Sequence, residues 1–274
     1  MITCNVCFRH CRLEDGQTGA CGARGNENGE NICLNYGELT SLSIDPIEKK
    51  PFARFHPGSR ILSVGSYGCN LFCPFCQNYE ISTARRGEAR TRKVRPETIA
   101  NLAKDSEASG NIGVAFTYNE PMVGWEFVRD TAKLVREKDM VNAVVTNGSV
   151  TPEILREVLP YIDAFNIDLK GFTEEYYKKL GGDLETVKTF IQIAAESAHV
   201  ELTTLIVPGE NDSPEEIARE AAWIASIDEE IPLHITRFFP RYKYEDRRPT
   251  DVEKMRELAA TARKELTTVM LGNV

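Results

Sequence analysis

The 274-residue sequence has no apolar run near the roughly 20 residues of a membrane-spanning helix. Its first residues, Met1-Ile2-Thr3-Cys4, carry neither the basic nor the apolar region of a secretory signal. A cytoplasmic protein with no membrane partner is the expectation. Positive charge is also in short supply. Lys and Arg number 33 against 41 Asp and Glu, and the net charge of −8 argues against general nucleic-acid binding. One stretch departs from that balance, because Arg85, Arg86, Arg90, Arg92, Lys93 and Arg95 crowd together. A solvated loop is the plainest account of such a run.

What is present is an ordinary globular composition, 42% hydrophobic and 27% charged, long enough for one α/β domain with a small appendage. Short β-branched runs at 61–67, 112–117, 142–146, 164–169, 201–207 and 233–238 alternate with helical patterns. The helices fall near 97–109, 123–138, 152–159, 173–196, 214–227 and 250–266, and a short apolar run, 268–271, follows the last. Such alternation predicts a parallel sheet with right-handed crossovers. Six units suit a partial (β/α)6 barrel of the TIM type better than a closed eight-unit one.

Each expected strand ends in an unusually polar or constrained segment: Gly68-Cys69-Asn70, Tyr118-Asn119-Glu120-Pro121, Asn147-Gly148, Asp168-Leu169-Lys170, Pro208-Gly209 and Phe239-Pro240. In parallel barrels the C-terminal strand ends build the active site. Strand alternation puts Asn166, Asp168 and Lys170 on one face and Phe165, Ile167 and Leu169 on the other. On the sixth strand, His234 and Thr236 share a face with Phe238. The apolar faces belong under helices and the polar ones in the lumen, which makes Asp168, Lys170 and His234 candidate catalytic groups. Mutual neutralisation of Asp168 and Lys170 is the plain alternative, yet a buried ion pair rarely improves on apolar packing.

Of eight cysteines, three form a tight triplet, Cys69-Asn-Leu-Phe-Cys73-Pro-Phe-Cys76. In a reducing compartment such spacing favours metal or cluster ligation over disulfides. Three thiolates on one loop can hold three irons of a [4Fe–4S] cubane and leave the fourth open. A closed zinc site needs a fourth ligand, and after the triplet the next histidine is His199.

At these residues the chain resembles the radical S-adenosylmethionine (SAM) superfamily, whose hallmark is CxxxCxΦC with Φ aromatic. The resemblance implies that SAM chelates the open iron through its amino and carboxylate groups. Reductive cleavage then gives methionine and a 5′-deoxyadenosyl radical, which abstracts hydrogen from a substrate. It also implies that Phe75 touches the adenine and that Asn119 and Glu120 meet the SAM amino group. Thr146-Asn147-Gly148 and Asp168-Leu169-Lys170 are similar to the DTNG and DxK segments of pyruvate formate-lyase activases, with Val145 replacing the Asp of the first. Thr146, Asn147, Asp168 and Lys170 are thereby further candidate SAM contacts. Asp45-Pro46-Ile47-Glu48-Lys49-Lys50-Pro51, Cys76-Gln77-Asn78 and Arg237-Phe238-Phe239-Pro240 resemble the AmmeMemoRadiSam-system radical SAM enzymes.

Cys4, Cys7, Cys11 and Cys21 form a separate C-x2-C-x3-C-x9-C pattern in a glycine-rich stretch too poor in apolar residues to build its own core. A metal could fold it, and the spacing fits both zinc and an auxiliary iron–sulfur cluster. His10 is a spare ligand, and Cys33 reads as a small buried apolar residue. The expected organisation is a Cys-rich segment over residues 1–50 and a radical SAM core over 51–274. The leading functional expectation is an AmmeMemoRadiSam-type radical enzyme acting on a small molecule or a protein, with flavodoxin or ferredoxin as electron donor. The alternative is an activase that abstracts hydrogen from a glycine of a partner enzyme. A non-catalytic electron carrier would need neither an open iron nor a polar barrel mouth.

Overall fold

The structure, a computed structural model, describes residues 1–274. Two short antiparallel pairs open the chain: β1 (Ile2–Thr3) with β2 (Arg12–Leu13), and β3 (Arg24–Glu27) with β4 (Glu30–Cys33). A third joins β5 (Glu38–Leu39) to β8 (Arg92–Lys93). The body is an eight-stranded sheet of β6 (Ser41–Pro46), β7 (Arg60–Gly65), β9 (Asn111–Phe116), β10 (Val141–Thr146), β11 (Ala164–Asp168), β12 (His199–Ile206), β13 (Leu233–Arg237) and β14 (Val269–Gly272). From β7 to β14 every pairing is parallel, while β6 runs antiparallel along β7. The edge strands β6 and β14 do not pair with each other, so the barrel is open.

The six expected strands are present, each within two residues of its predicted ends. The run at 268–271 is a seventh parallel strand, with Leu233 beside Val269 and Ile235 beside Leu271. After the one-turn α1 (Tyr79–Ser82), crossover helices α2 (Pro96–Asp105), α3 (Trp125–Arg136), α4 (Pro152–Val158), α6 (Leu184–Ala195), α7 (Pro214–Ala225) and α8 (Val252–Ala262) cover the outer face. Between helices and sheet lies one apolar core containing Leu62, Val64, Val144, Phe165, Ile167, Leu202 and Ile235.

The single helix expected over 173–196 is two, α5 (Glu174–Lys179) and α6. A Schellman motif ends the first: Gly182 N–H donates to Tyr177 O at 2.7 Å and Gly181 N–H to Lys178 O at 3.0 Å. Asp183 then caps the second, its carboxylate accepting from Thr186 N–H at 2.8 Å.

The lower lumen is filled by the segment linking β6 to β7. Phe52, fully buried, packs with Ile47 and Ile61 over Ala115, Ala143 and Ala164, small side chains that leave room for its ring. Two lumen side chains grip the plug's backbone. Asn166 donates to Pro51 O at 2.7 Å, and Glu201 accepts from Ala53 N–H and Arg54 N–H, each at 2.8 Å. The upper lumen stays open.

Candidate active site

At the C-terminal strand ends lies a cavity of about 760 Å³ lined by Cys69, Cys73, Cys76 and Phe75, and by Asn119, Glu120, Asn147, Asp168, Lys170 and His234. The cysteine loop leaves β7 through Gly68, which adopts φ +90°. A Cβ there would lie 2.6 Å from Cys21 O, so only glycine fits. The loop is anchored at its start and in its middle, with Cys69 N–H donating to Cys21 O at 3.1 Å and Phe72 N–H to Leu180 O at 2.8 Å.

Leu71 N–H and Asn147 Nδ2 approach Cys69 Sγ at 3.4 and 3.6 Å, donors suited to a thiolate. Burial, followed by the charge of Glu120, pushes the Cys69 thiol well above its ordinary value. Burial raises Cys73 to about 12, although the Lys170 ammonium opposes it. Neither His, Cys, Asp nor Glu is anywhere gathered, three or more together, tightly enough to hold a metal ion as the side chains stand. A cluster held here would require the three sulfurs to move inward and give up their protons. Three thiols on one anchored loop, facing one cavity with N–H donors in place, fit a cubane with one open iron.

Lys170 Nζ lies 2.7 Å from Asp168 Oδ2. Burial pulls the lysine pKa down, but the charge of Asp168 outweighs it, so Lys170 stays charged. The lumen parity expected for Asp168, Lys170 and His234 is observed, and register sets Asp168 beside Thr203 and Thr203 beside His234. His234 is tied at 2.5 Å to Glu201, which also meets His199 at 2.9 Å. Burial opposes ionisation of Glu201, but the two imidazoles and the plug's N–H groups bring its pKa down to about 2.

Glu120 is the hub of the opposite wall. Its carboxylate accepts from Thr146 Oγ1 at 2.7 Å, Asn147 N–H at 2.7 Å and Met122 N–H at 3.0 Å. Burial nevertheless raises its pKa to about 7. Thr146 lines an adjoining cavity rather than the main one. Asn119, expected among the SAM contacts, lines the main cavity with its side chain engaged within the protein. Its Oδ1 accepts from Ser66 N–H at 2.9 Å, and its Nδ2 donates to Tyr67 O and Gly68 O, both at 3.1 Å. That side chain braces the start of the cysteine loop. Phe75 lines the cavity with its ring packed beside Tyr176, Leu180, Val207 and Phe238.

Two groups escaped the sequence reading. One is Glu201, which the alternation that singled out Asp168 could have placed in the lumen together with Thr203. The other is the trio of Asp45, Lys50 and Tyr118, in which Asp45 Oδ2 sits 2.7 Å from Lys50 Nζ and accepts from Tyr118 Oη at 2.9 Å. Of the N-terminal residues, Cys4, Cys7 and Cys21 are buried, Cys11 is half-buried and His10 is exposed. Cys33 is half-buried rather than a purely apolar core residue, and its thiol donates to Asn35 Oδ1 at 3.2 Å.

No helix is long and apolar enough to cross a membrane. The chain is 38% identical over its whole length to an uncharacterized protein of Methanocaldococcus jannaschii, covering 81% of that protein. It is 27% identical, over 74% of its length and 89% of the relative's, to the pyruvate formate-lyase-activating enzyme of Clostridium pasteurianum. The structure of Streptococcus suis SuiB bound to S-adenosylmethionine superposes with a TM-score of 0.59 at 13% identity, over 75% of this chain and 48% of that one. The Radical SAM superfamily profile matches residues 63–221, the stretch that supplies the cysteine loop, Glu120 and the Asp168–Lys170 pair. The partial barrel, the cysteine spacing and these matches agree: the chain is an enzyme of the radical SAM superfamily.

Proposed function

We propose that this enzyme reductively cleaves SAM within the cavity and uses the resulting radical to take hydrogen from a substrate, in the manner of the AmmeMemoRadiSam-type enzymes. The observation that carries this reading is the convergence of Cys69, Cys73 and Cys76 with Glu120 and the Asp168–Lys170 pair on one cavity. The three cysteines would hold a [4Fe–4S] cluster, which when bound would supply the coordination of SAM and the electron for breaking its carbon–sulfur bond.

The chain's own part is positioning. Glu120 offers a carboxylate to the SAM ammonium, with Thr146 and Asn147 fixing its orientation. Lys170, kept charged by Asp168, faces the SAM carboxylate or the sugar hydroxyls from the other wall. Phe75 presents a buried apolar ring suited to a flat base. His234, held by Glu201, is the group best placed to exchange a proton with a substrate deeper in the lumen. The Phe52 plug closes the lower end to solvent, which keeps water from a reactive carbon centre.

A second reading, activation of a glycyl-radical enzyme, is favoured by the C. pasteurianum relative. The experiment is to screen deuterated small molecules and candidate glycine-containing partners for deuterium transfer into 5′-deoxyadenosine. Transfer from a small molecule supports the first reading. Transfer from a protein glycine, with a glycyl radical appearing by electron paramagnetic resonance, supports the second. For the electron donor, the exposed basic stretch after Cys76 suits an acidic flavodoxin or ferredoxin.

A further inference from the structure

The N-terminal segment is tied to the cysteine loop, and the tie that reaches furthest is a single arginine. The segment first docks beyond the end of β10, where Thr151 N–H donates to Val6 O at 3.0 Å and Cys7 forms an isolated antiparallel bridge with Val150. Cys21 O then takes Cys69 N–H at the start of the loop. These contacts make a platform under residues 69–72. From it, Arg9 donates through Nε to Asn70 O at 2.8 Å and through Nη2 to Gly181 O. The first carbonyl belongs to the loop and the second to the turn between α5 and α6. Phe72 N–H, donating to Leu180 O, joins the same two elements.

Two features set Arg9 apart from an ordinary surface side chain. Its guanidinium lies over the exposed Phe72 ring, 4.5 Å from the centroid, and 5.1 Å from that of Phe8. Gly181, at φ +67°, leaves the space for this, since a Cβ there would come within 2.7 Å of Arg9 Nη2 and 2.9 Å of the Phe72 ring. A planar fork that bonds two carbonyls while lying over a ring is a task lysine cannot perform. Both hydrogen bonds also go to neutral carbonyls and neither to a carboxylate, so they leave the positive charge uncompensated.

The loop has use for both features. From Gly68 to Cys73 it forms neither helix nor strand, so its shape depends on what grips it from outside. Asn70, fully buried, is the centre of that grip. Its side chain donates to Ser149 O at 3.3 Å and accepts from Asn147 Nδ2 at 2.9 Å, while its carbonyl takes Arg9. Asn70 and Phe72, the two loop residues that Arg9 touches, directly adjoin Cys69 and Cys73. Three thiolates and a reduced cluster would gather negative charge there, which a nearby guanidinium opposes.

We infer that Arg9 is a positioning residue for the cluster: it clamps the CxxxCxxC loop against the α5–α6 turn and stands beside it as a fixed counter-charge. The counter-charge rests on reading Cys69, Cys73 and Cys76 as the cluster ligands; the clamp does not.

The clamp is read by amide hydrogen exchange in the full-length, cluster-free chain. Arg9→Met and Arg9→Lys should each speed exchange at residues 69 and 72 at least about tenfold, as the loss of two charge-assisted bonds implies. The amides of β9 and β10 should keep the parent rate. Should Arg9→Met fail to fold, Arg9→Lys and Phe72→Ala carry the same expectation. Parent-like exchange at both positions in the folded variants overturns the clamp. The counter-charge is read in the reconstituted chain as the reduction potential of the cluster. Arg9→Met should shift the reduction equilibrium about tenfold against the electron, or about 59 mV for one electron. Arg9→Lys, which keeps the charge, should stay near the parent. A potential unchanged in Arg9→Met, or lowered alike in both variants, overturns the counter-charge and leaves the clamp standing. A parent that takes up no cluster condemns the reading of the three cysteines and the counter-charge with it, while the clamp still stands or falls on exchange.

Discussion

Asp168 and Lys170 share a wall of the cavity and hold opposite charges 2.7 Å apart. Removing either leaves the other unpaired in a partly dry site, where a broken pair costs more than an intact one contributes. Both residues retain some exposure, so a loss of about 1–2 kcal/mol is expected, close to tenfold in affinity. Asp168→Asn and Lys170→Met should therefore weaken SAM binding about tenfold by equilibrium dialysis, while iron and sulfide content stay at the parent level. Unchanged affinity in both variants contradicts this placement. At this scale the sequence was most legible where spacing constrains chemistry. The three cysteines of CxxxCxxC line one cavity with Asp168, at the end of β11, and Lys170, just past it. The bracing role of the Asn119 side chain was not legible, because its partners, the amide and carbonyls of residues 66–68, lie some fifty positions away. Glu201 was missed for a related reason: an acid near a strand's start marks nothing until the plug's N–H groups and two histidines are seen around it.

Among the elements, the β6–β7 connection departs furthest from its appearance as a loop. Phe52 is fully buried against three alanines contributed by three strands. Phe52→Ala should cost about 3–5 kcal/mol, read from urea unfolding of the cluster-free chain, because the alanines cannot collapse into the space. A loss under about 1 kcal/mol would mean that the plug is not a core element. Glu201 ties the same segment to β12, and its folded pKa of about 2 lies below the ordinary carboxylate value of 4.5. A lowered carboxylate pKa stabilises the fold fully above about pH 4.5 and loses that contribution as pH falls towards 2. The contribution is about 3 kcal/mol. The difference in unfolding free energy between parent and Glu201→Gln should shrink by about that amount across the window. A difference independent of pH would show that Glu201 is not ionised in the fold. Strands were readable to within two residues because apolar alternation survives burial on one side. The division of α5 from α6 was written in Gly181-Gly182-Asp183, and β14 was hidden because a four-residue strand at an edge has too few residues to show a period.

For the whole molecule, charge outside the cavity bears on how electrons arrive. Arg85, Arg90, Arg92 and Arg95 are exposed and without an acidic partner, whereas Arg86 pairs with Glu27 at 2.9 Å and Lys93 with Glu38 at 3.3 Å. Replacing Arg85, Arg86, Arg90 and Arg92 with Gln should slow reduction by flavodoxin at low salt and leave reduction by dithionite unchanged. The gap should narrow near 0.15 M salt, where the Debye length is about 8 Å. Equal flavodoxin-driven rates at low salt would reduce the stretch to a solvated loop. The open barrel and its cysteine loop were legible from strand-helix alternation and one motif. The N-terminal platform was legible only as four cysteines, since its contacts to Asn70 and Gly181 join residues up to 172 positions apart. The account's central claim is that Cys69, Cys73 and Cys76 make this cavity a site of reductive SAM cleavage. Its most direct test is anaerobic reconstitution with iron and sulfide, followed by SAM and dithionite, with chromatography of the products. The parent should release 5′-deoxyadenosine and methionine, and Cys69→Ala, Cys73→Ala and Cys76→Ala should each release none. Undiminished 5′-deoxyadenosine from any one of these variants would contradict the claim.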